Sequence, residues 1–381
     1  MSDWNLLIKP ASSACNMDCR YCFYQDVAAS RETPFRGMMT EETLELLVRE
    51  AFQDASHFCG FNFQGGEPTV VGLNFYRRLV ELQRIYNQNG VQVQNAIQTN
   101  GYCIDEEWAA FLGENRFLIG LSLDGPAEIH NRNRIDQKGK GSWSRVMKAA
   151  RLLKKYRVPV NILSVVTDQS ARRAESVYRF LREEGFSHMQ FIPCLDPTGK
   201  EGAEAYSLTA VQYGEFLVRI FDLWRRDFLE GKRVSIRHID NWLAVLMGGE
   251  PEACAQRGCC QVQLVVEGDG SVYPCDFYCL DRWKLGQLGE ASLSEMQNSL
   301  LAREFVEPSV RLPNRCRECR YFPLCRNGCR RERVLLPDET EAVNLYCESY
   351  RYFFSRRLRE LNEAAAICRR LRNLRERGGA F

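Results

Sequence analysis

A chain of 381 residues with 45% hydrophobic content is long enough to bury a large core in two or three folding units. Its 51 Lys+Arg against 49 Asp+Glu leave a formal net charge of +2, so nothing at whole-chain level points to nucleic acid or a membrane surface as partner. The first ten residues hold no charged leader ahead of a long apolar region, and no later apolar run reaches the ~18 residues of a membrane span. A cytoplasmic location with neither nucleic acid nor membrane as partner is therefore expected. Seventeen cysteines, an odd and clustered set, fit metal ligation in that compartment better than a disulfide framework.

In chain order, short apolar runs alternate with amphipathic stretches. Strands are expected at 6–9, 61–64, 93–99, 117–123, 160–166 and 189–193, and helices at 40–55, 73–88, 106–114, 143–156 and 174–184. Repeated strand-helix alternation predicts an α/β unit with a parallel sheet, either open and doubly wound or closed as a barrel. In a barrel, chemistry sits on the loops at the carboxyl ends of strands. The loop after the first strand carries Cys15, Cys19 and Cys22, and the end of the second carries Gly65, Gly66, Glu67 and Pro68. A linker rich in Gly, Glu and Ala at about 198–207 leads into a long amphipathic helix at 211–229. Beyond it cysteine density rises, so the expected divisions are 1–206, 207–350 and an Arg-rich helical tail at 351–381, read as a solvated helix face with a frayed end.

Cys15, Cys19 and Cys22 form C-x3-C-x2-C, with Tyr21 and Phe23 flanking the last thiol. Three thiolates on a four-iron cluster leave one iron open to an external ligand, whereas a structural cluster or zinc site normally takes four. Glycines at 65 and 66 allow close backbone approach, and exposed amide and carbonyl groups there can hold an ammonium and a carboxylate. Further on stand Cys254, Cys259, Cys260, Cys275, Cys316, Cys319, Cys325, Cys329 and Cys347. Eight of these thiolates suffice for two fully ligated four-iron clusters, with one to spare among Cys259 and Cys260; two zinc sites are chemically open to the same residues. Cys59, Cys103, Cys194, Cys279 and Cys368 read as small buried hydrophobes. None of the four histidines, His57, His130, His188 and His238, has metal-ligand spacing or stands beside a nucleophilic serine.

The three-cysteine loop followed by Gly-Gly-Glu-Pro resembles the signature of the radical S-adenosylmethionine (SAM) superfamily, and the later cysteines resemble its SPASM extension. At finer grain the runs LIKPASS (7–13), CFY (22–24), FQGGEPT (63–69), QTNG (98–101), GLSLDGP (120–126), IHN (129–131) and VYPCDFY (272–278) are together similar to those of anaerobic sulfatase-maturating enzymes. That resemblance implies a partial (β/α)6 TIM-like barrel with a C-terminal cysteine-rich SPASM domain, SAM, and three 4Fe-4S clusters. It further implies oxidation of a sulfatase cysteine or serine to Cα-formylglycine, through a 5′-deoxyadenosyl radical that takes hydrogen from the substrate β-carbon.

By the same resemblance Cys15, Cys19 and Cys22 hold the catalytic cluster. Cys254, Cys260, Cys275 and Cys329 hold one auxiliary cluster, and Cys316, Cys319, Cys325 and Cys347 the other; spacing alone leaves the choice between Cys259 and Cys260 open. Tyr21, Gly65, Gly66, Glu67, Ser122, Arg134 and Leu195 fall at SAM-binding positions, with the Arg134 fork suited to a carboxylate or ribose oxygens. Tyr24 and Gln64 fall beside the substrate, and Asp276 at the position of the base. The implied partners are a sulfatase polypeptide, unfolded or nascent, and a low-potential electron donor such as ferredoxin or flavodoxin. A related reading ends in a thioether or other crosslink on a precursor peptide. Such maturases often carry a peptide-binding domain ahead of the barrel, and only fourteen residues precede Cys15 here.

Overall fold

The computed structural model describes residues 2–197, 202 and 204–377. Part of the linker expected at 198–207 and the last residues of the expected tail lie outside the described residues. Two compact units form. One comprises Met1–Leu163, Asp196–Lys200 and Gln261–Glu307; the other comprises Ser164–Leu195, Glu201–Cys260 and Pro308–Phe381. The single cut expected near residue 207 needs correction for these units, because 261–307 returns to the first one and adds strands to its sheet.

In the first unit, β1 (Ser2–Ile8), β2 (Ala55–Phe63), β3 (Gln92–Thr99), β4 (Leu118–Ser122) and the start of β5 (Val160–Val166) pair in parallel in that order. The connecting helices explain the parallel arrangement. Glu41–Asp54 starts on Thr40, whose side chain accepts from the Thr43 amide, and buries Leu44, Leu47, Val48, Ala51 and Phe52 on one face. Glu106–Glu114 starts on Asp105, which caps the Trp108 amide. β2 begins already at Ala55, before the apolar run that announced it. Its polar start is held by a side chain: Asp3 Oδ1 accepts from the His57 and Phe58 amides at 3.0 and 3.1 Å.

On its other side β1 pairs with β8 (Val265–Val266), then come β9 (Ser271–Tyr273) and β10 (Gly286–Gln287) in antiparallel order. The sheet is thus open rather than a closed barrel, and the α/β fold is mostly parallel. These three short strands and the helix Phe23–Ala29 were not visible in the hydrophobic pattern, since a two-residue strand carries no period.

In the second unit β6 (His188–Pro193) and β7 (Ser235–Ile236) pair in parallel. The helix Ala210–Leu229 opens with a capping box made by Thr209 and Gln212. The last described element is the helix Cys347–Arg377, which departs from the expected solvated face. Its inner face is core: Phe353, Phe354 and Leu361 are buried, with Phe353 stacked on Trp242 at 4.7 Å and edge-on to Phe221 at 5.5 Å. Arg357 adds a two-pronged pair to Asp222 at 2.6 and 2.9 Å. Among the described residues no helix is long and apolar enough to cross a membrane.

Candidate active site and cluster pockets

The first cysteine loop is shaped by the end of β2. Gly66 N donates to Ser12 O at 2.9 Å and Glu67 N to Ala14 O at 2.8 Å, which lays the turn after β2 against the turn before Cys15. A Cβ at Gly66 would stand 2.1 Å from Ala14 O, so only glycine permits this approach. Gly65, with φ at +120°, makes the preceding bend. Cys15 Sγ accepts from the Met17 amide at 3.4 Å and from Asn100 Nδ2 at 3.8 Å. Cys22 N donates to Cys19 O at 3.1 Å, after which the helix Phe23–Ala29 begins. Burial pushes the Cys15 and Cys19 thiols up to about 12 and raises Cys22 as well. The chain alone therefore favours neutral thiols, and metal must displace their protons. Three thiols in one short turn, one fewer than a closed site, fit a four-iron cluster with an open iron.

Two expected SAM contacts are committed inside the protein. The buried Glu67 carboxylate accepts from Thr69 N at 3.0 Å, Thr69 Oγ1 at 2.6 Å, Thr99 Oγ1 at 2.7 Å and Asn100 N at 2.7 Å, tying the loop to the end of β3. Arg134 spends its fork on Asp124, with Nε to Oδ2 and an Nη to Oδ1 both at 3.0 Å. Tyr21 OH also donates to Asp124, and the guanidinium lies 5.4 Å from the Tyr21 ring centroid. Asp124 is the residue that sequence reasoning missed; the available signal was a carboxylate between a strand end and Gly-Pro. Ser122 Oγ accepts from Gln98 Nε2 at 3.1 Å, on neighbouring strand ends. Leu195 is half-buried just past β6, in the second unit.

Asp276 follows β9 and is buried. Its Oδ2 accepts from Tyr24 OH at 2.6 Å and Gln64 Nε2 at 3.0 Å. Its Oδ1 has no hydrogen-bond donor among the described residues and faces Lys9 Nζ at 4.0 Å. Burial raises the Asp276 carboxyl while Lys9 pulls it down. Beneath it, Glu267 takes Lys9 at 2.8 Å and Arg31 at 2.7 Å, all three buried. Burial opposes the Glu267 charge, but the two cations hold it below the usual carboxylate range. Lys9, Arg31 and Glu267 are further residues that the sequence did not single out, because a buried ion pair has no local pattern. One carboxylate oxygen is fixed by two donors, while the other, buried and facing Lys9, has no hydrogen-bond donor of its own and so keeps a lone pair for a proton.

In the second unit Cys316, Cys319, Cys325 and Cys347 line one pocket together with Arg315 and Tyr321. Their donor chemistry fits one fully ligated cluster. Elsewhere in that unit burial raises the Cys329 thiol, and the charge of Glu332 and, less, those of Cys254 and Cys260 add to the shift. Cys254 Sγ points to Cys259 O at 3.9 Å. Cys275 belongs to the first unit. Of the cysteines expected to be packing residues, Cys59, Cys194 and Cys279 are buried, while Cys103 and Cys368 are half-buried. Cys103 Sγ accepts from Asn16 Nδ2 at 3.0 Å.

Known proteins match along nearly the whole chain. Residues 10–181 match the model of the radical SAM superfamily, and residues 258–320 that of the SPASM iron-sulfur cluster-binding domain. A cysteine-type anaerobic sulfatase-maturating enzyme of Clostridium perfringens is 47% identical over 355 residues, covering 93% of this chain and 96% of its own. Another cysteine-type enzyme, from Clostridium novyi, is 44% identical over 367 residues, covering 96% and 98%. The solved structure described as native anSMEcpe with bound AdoMet and Cp18Cys peptide superposes with a TM-score of 0.92 at 45% identity, covering 96% of this chain and 100% of that one. Matched at 44–47% identity over nearly the full length of both chains, this chain belongs to the anaerobic sulfatase-maturating enzymes of the radical SAM superfamily.

Proposed function

We propose that this chain oxidises an active-site cysteine of a sulfatase polypeptide to Cα-formylglycine. The observation that carries the reading is Asp276, with Oδ2 held by Tyr24 and Gln64 and Oδ1 without a hydrogen-bond donor among the described residues. When bound, the loop cluster and SAM supply hydrogen abstraction from carbon, and the auxiliary clusters an electron sink. Cys15, Cys19 and Cys22 hold the loop cluster. Tyr21, Gly65, Gly66, Ser122 and Leu195 surround SAM, while Glu67 and Arg134 shape that pocket through Asn100 and Asp124. Asp276 Oδ1 accepts the substrate thiol proton as the carbon is oxidised; Tyr24 and Gln64 hold the carboxylate in line, and water then converts the thioaldehyde to the aldehyde with release of hydrogen sulfide. Cys254, Cys260, Cys275 and Cys329 ligate one auxiliary cluster, and Cys316, Cys319, Cys325 and Cys347 the other. The relatives of cysteine type support cysteine over serine as substrate.

In the same reading the sulfatase is met unfolded or nascent in the cytoplasm, and a low-potential donor such as ferredoxin or flavodoxin reduces the loop cluster. The test is incubation of reconstituted enzyme with SAM and peptides containing Cys-x-Pro-x-Arg or Ser-x-Pro-x-Arg. Formylglycine, read by mass and hydrazine trapping, is expected faster on the cysteine peptide. SAM cleavage with no formylglycine on either peptide would overturn the assignment.

A further inference from the structure

Between Cys325 and Cys329 the backbone runs through three consecutive left-handed residues, Arg326 at φ +51°, Asn327 at +63° and Gly328 at +58°. Such a run is costly for residues with a Cβ and persists only where the surroundings impose it. The surroundings here converge on one side chain. Arg333 donates from Nε to Asn327 O at 3.0 Å and from its Nη atoms to Gly328 O at 3.0 Å, Ser309 O at 2.7 Å and Gly258 O at 2.7 Å. Asn327 is also gripped through its own amide, which accepts from Asn344 N at 2.8 Å and donates to Ala342 O at 3.0 Å.

Each carbonyl that Arg333 binds belongs to the support of a cysteine. Asn327 and Gly328 precede Cys329, Gly258 precedes the Cys259–Cys260 pair, and Ser309 Oγ accepts the Cys260 amide at 2.8 Å. The two turns touch directly, since a Cβ at Gly258 would stand 2.0 Å from Arg326 O. One guanidinium therefore clamps the segment carrying Cys260 to the segment carrying Cys329. A planar fork with five donors can span carbonyls on several sides at once, and an ammonium cannot reproduce that geometry.

We infer that Arg333 is a positioning residue that presets Cys260 and Cys329 for cluster assembly by locking the two turns together. It acts through main-chain carbonyls and touches no reacting atom. The inference rests on the ligand reading above for Cys254, Cys260 and Cys329, so its test carries a control for that reading.

Anaerobically reconstituted Arg333→Met, Arg333→Lys and Cys329→Ala are compared with the unaltered chain for iron and sulfide content, Mössbauer and EPR spectra, and SAM cleavage. Arg333→Met is expected to lose about four of roughly twelve irons, matching Cys329→Ala, while SAM cleavage at the first loop continues. Arg333→Lys is expected to shift the EPR signal of that same cluster or lower its occupancy. If Arg333→Met does not fold, Arg333→Lys decides alone. Full iron and unchanged spectra in the folded Arg333 variants, with the iron loss present in Cys329→Ala, would overturn the role of Arg333. Full iron in Cys329→Ala would instead overturn the ligand reading.

Discussion

The two units assemble their thiols in opposite ways. In the first, Cys15, Cys19 and Cys22 come from a single turn, shaped by main-chain bonds to Gly66 and Glu67 and by the amide of Asn100. In the second, the four cysteines lining one pocket come from three stretches around 316–319, 325 and 347, and the neighbouring turns are left-handed and clamped by Arg333. The contrast teaches that a site needing an open iron can be made locally, because a short loop offers three ligands and leaves a side free. A site that must be closed on all sides has to be gathered from distant segments, and its backbone needs support that a local turn does not.

The largest expected effect separates the two constructions outright. Alanine at Cys15, Cys19 and Cys22 together should abolish SAM cleavage and leave about eight irons per chain, measured by iron quantification and release of 5′-deoxyadenosine. Residual cleavage in that variant would mean that the open site lies elsewhere.

Next comes Asp276, beside the local site but adjacent in sequence to an auxiliary ligand. Asp276→Asn should lower formylglycine yield by about 10²- to 10⁴-fold, while SAM cleavage and label transfer from the substrate β-carbon persist. A near-normal aldehyde yield with intact clusters would make this carboxylate structural.

Glu267 tests the buried charge beneath that base. Glu267→Gln leaves Lys9 and Arg31 buried without their shared counter-ion, and removal of one partner of a buried pair costs about 3–5 kcal/mol. Denaturant unfolding of the apo chain should register that loss; a change under 1 kcal/mol, on the order of an exposed pair, would show that water reaches the cluster of charges.

Within the second unit, serine at Cys260 should lower iron content by about four per chain, and serine at Cys259 should leave it unchanged. The Cys260 amide is anchored on Ser309 and the Cys260 thiol is the one felt by Cys329. Equal losses at the two positions would mean that the turn rather than the thiol matters.

The smallest effect compares the buried His130 of the first unit with the half-buried His238 of the second. Burial drives His130 down to about 3, with Asp124 opposing and Arg134 adding, and drives His238 down to about 4, with Arg237 adding. A folded pKa below the ordinary 6.5 means that the unfolded chain takes up the proton first. Stability is then full above pH 6.5 and falls as the pH drops toward the folded values, by at most about 1.4 kcal/mol per pH unit for each histidine. His130→Gln should flatten the urea-unfolding slope between pH 6.5 and 5; an unchanged slope would place the titration on other groups.

Much of this was legible before folding. The parallel α/β order followed from apolar runs alternating with amphipathic stretches, and the observed strand β5 matches its expected bounds. The three-thiol loop was readable because its cysteines are neighbours in sequence. What escaped was whatever depends on residues that meet only in space: the strands β8 to β10, too short to show a period, the inner face of Cys347–Arg377, masked by its arginines, and Asp124 as the true holder of Arg134.

By itself, then, the sequence determined the alternating order of the longer elements in its first half and the three-thiol loop with its glycine support, since these are encoded in spacing along the chain, and its runs carried the resemblance to the family. Only the tertiary structure decided that Asp276 has one oxygen held by Tyr24 and Gln64 and the other facing Lys9, and that Glu67 binds the end of β3. It alone decided that Arg333 clamps two cysteine turns. Hydrogen bonds and ion pairs between residues far apart in sequence depend on distance and direction, and burial fixes their strength; neither quantity is written in the local order of side chains.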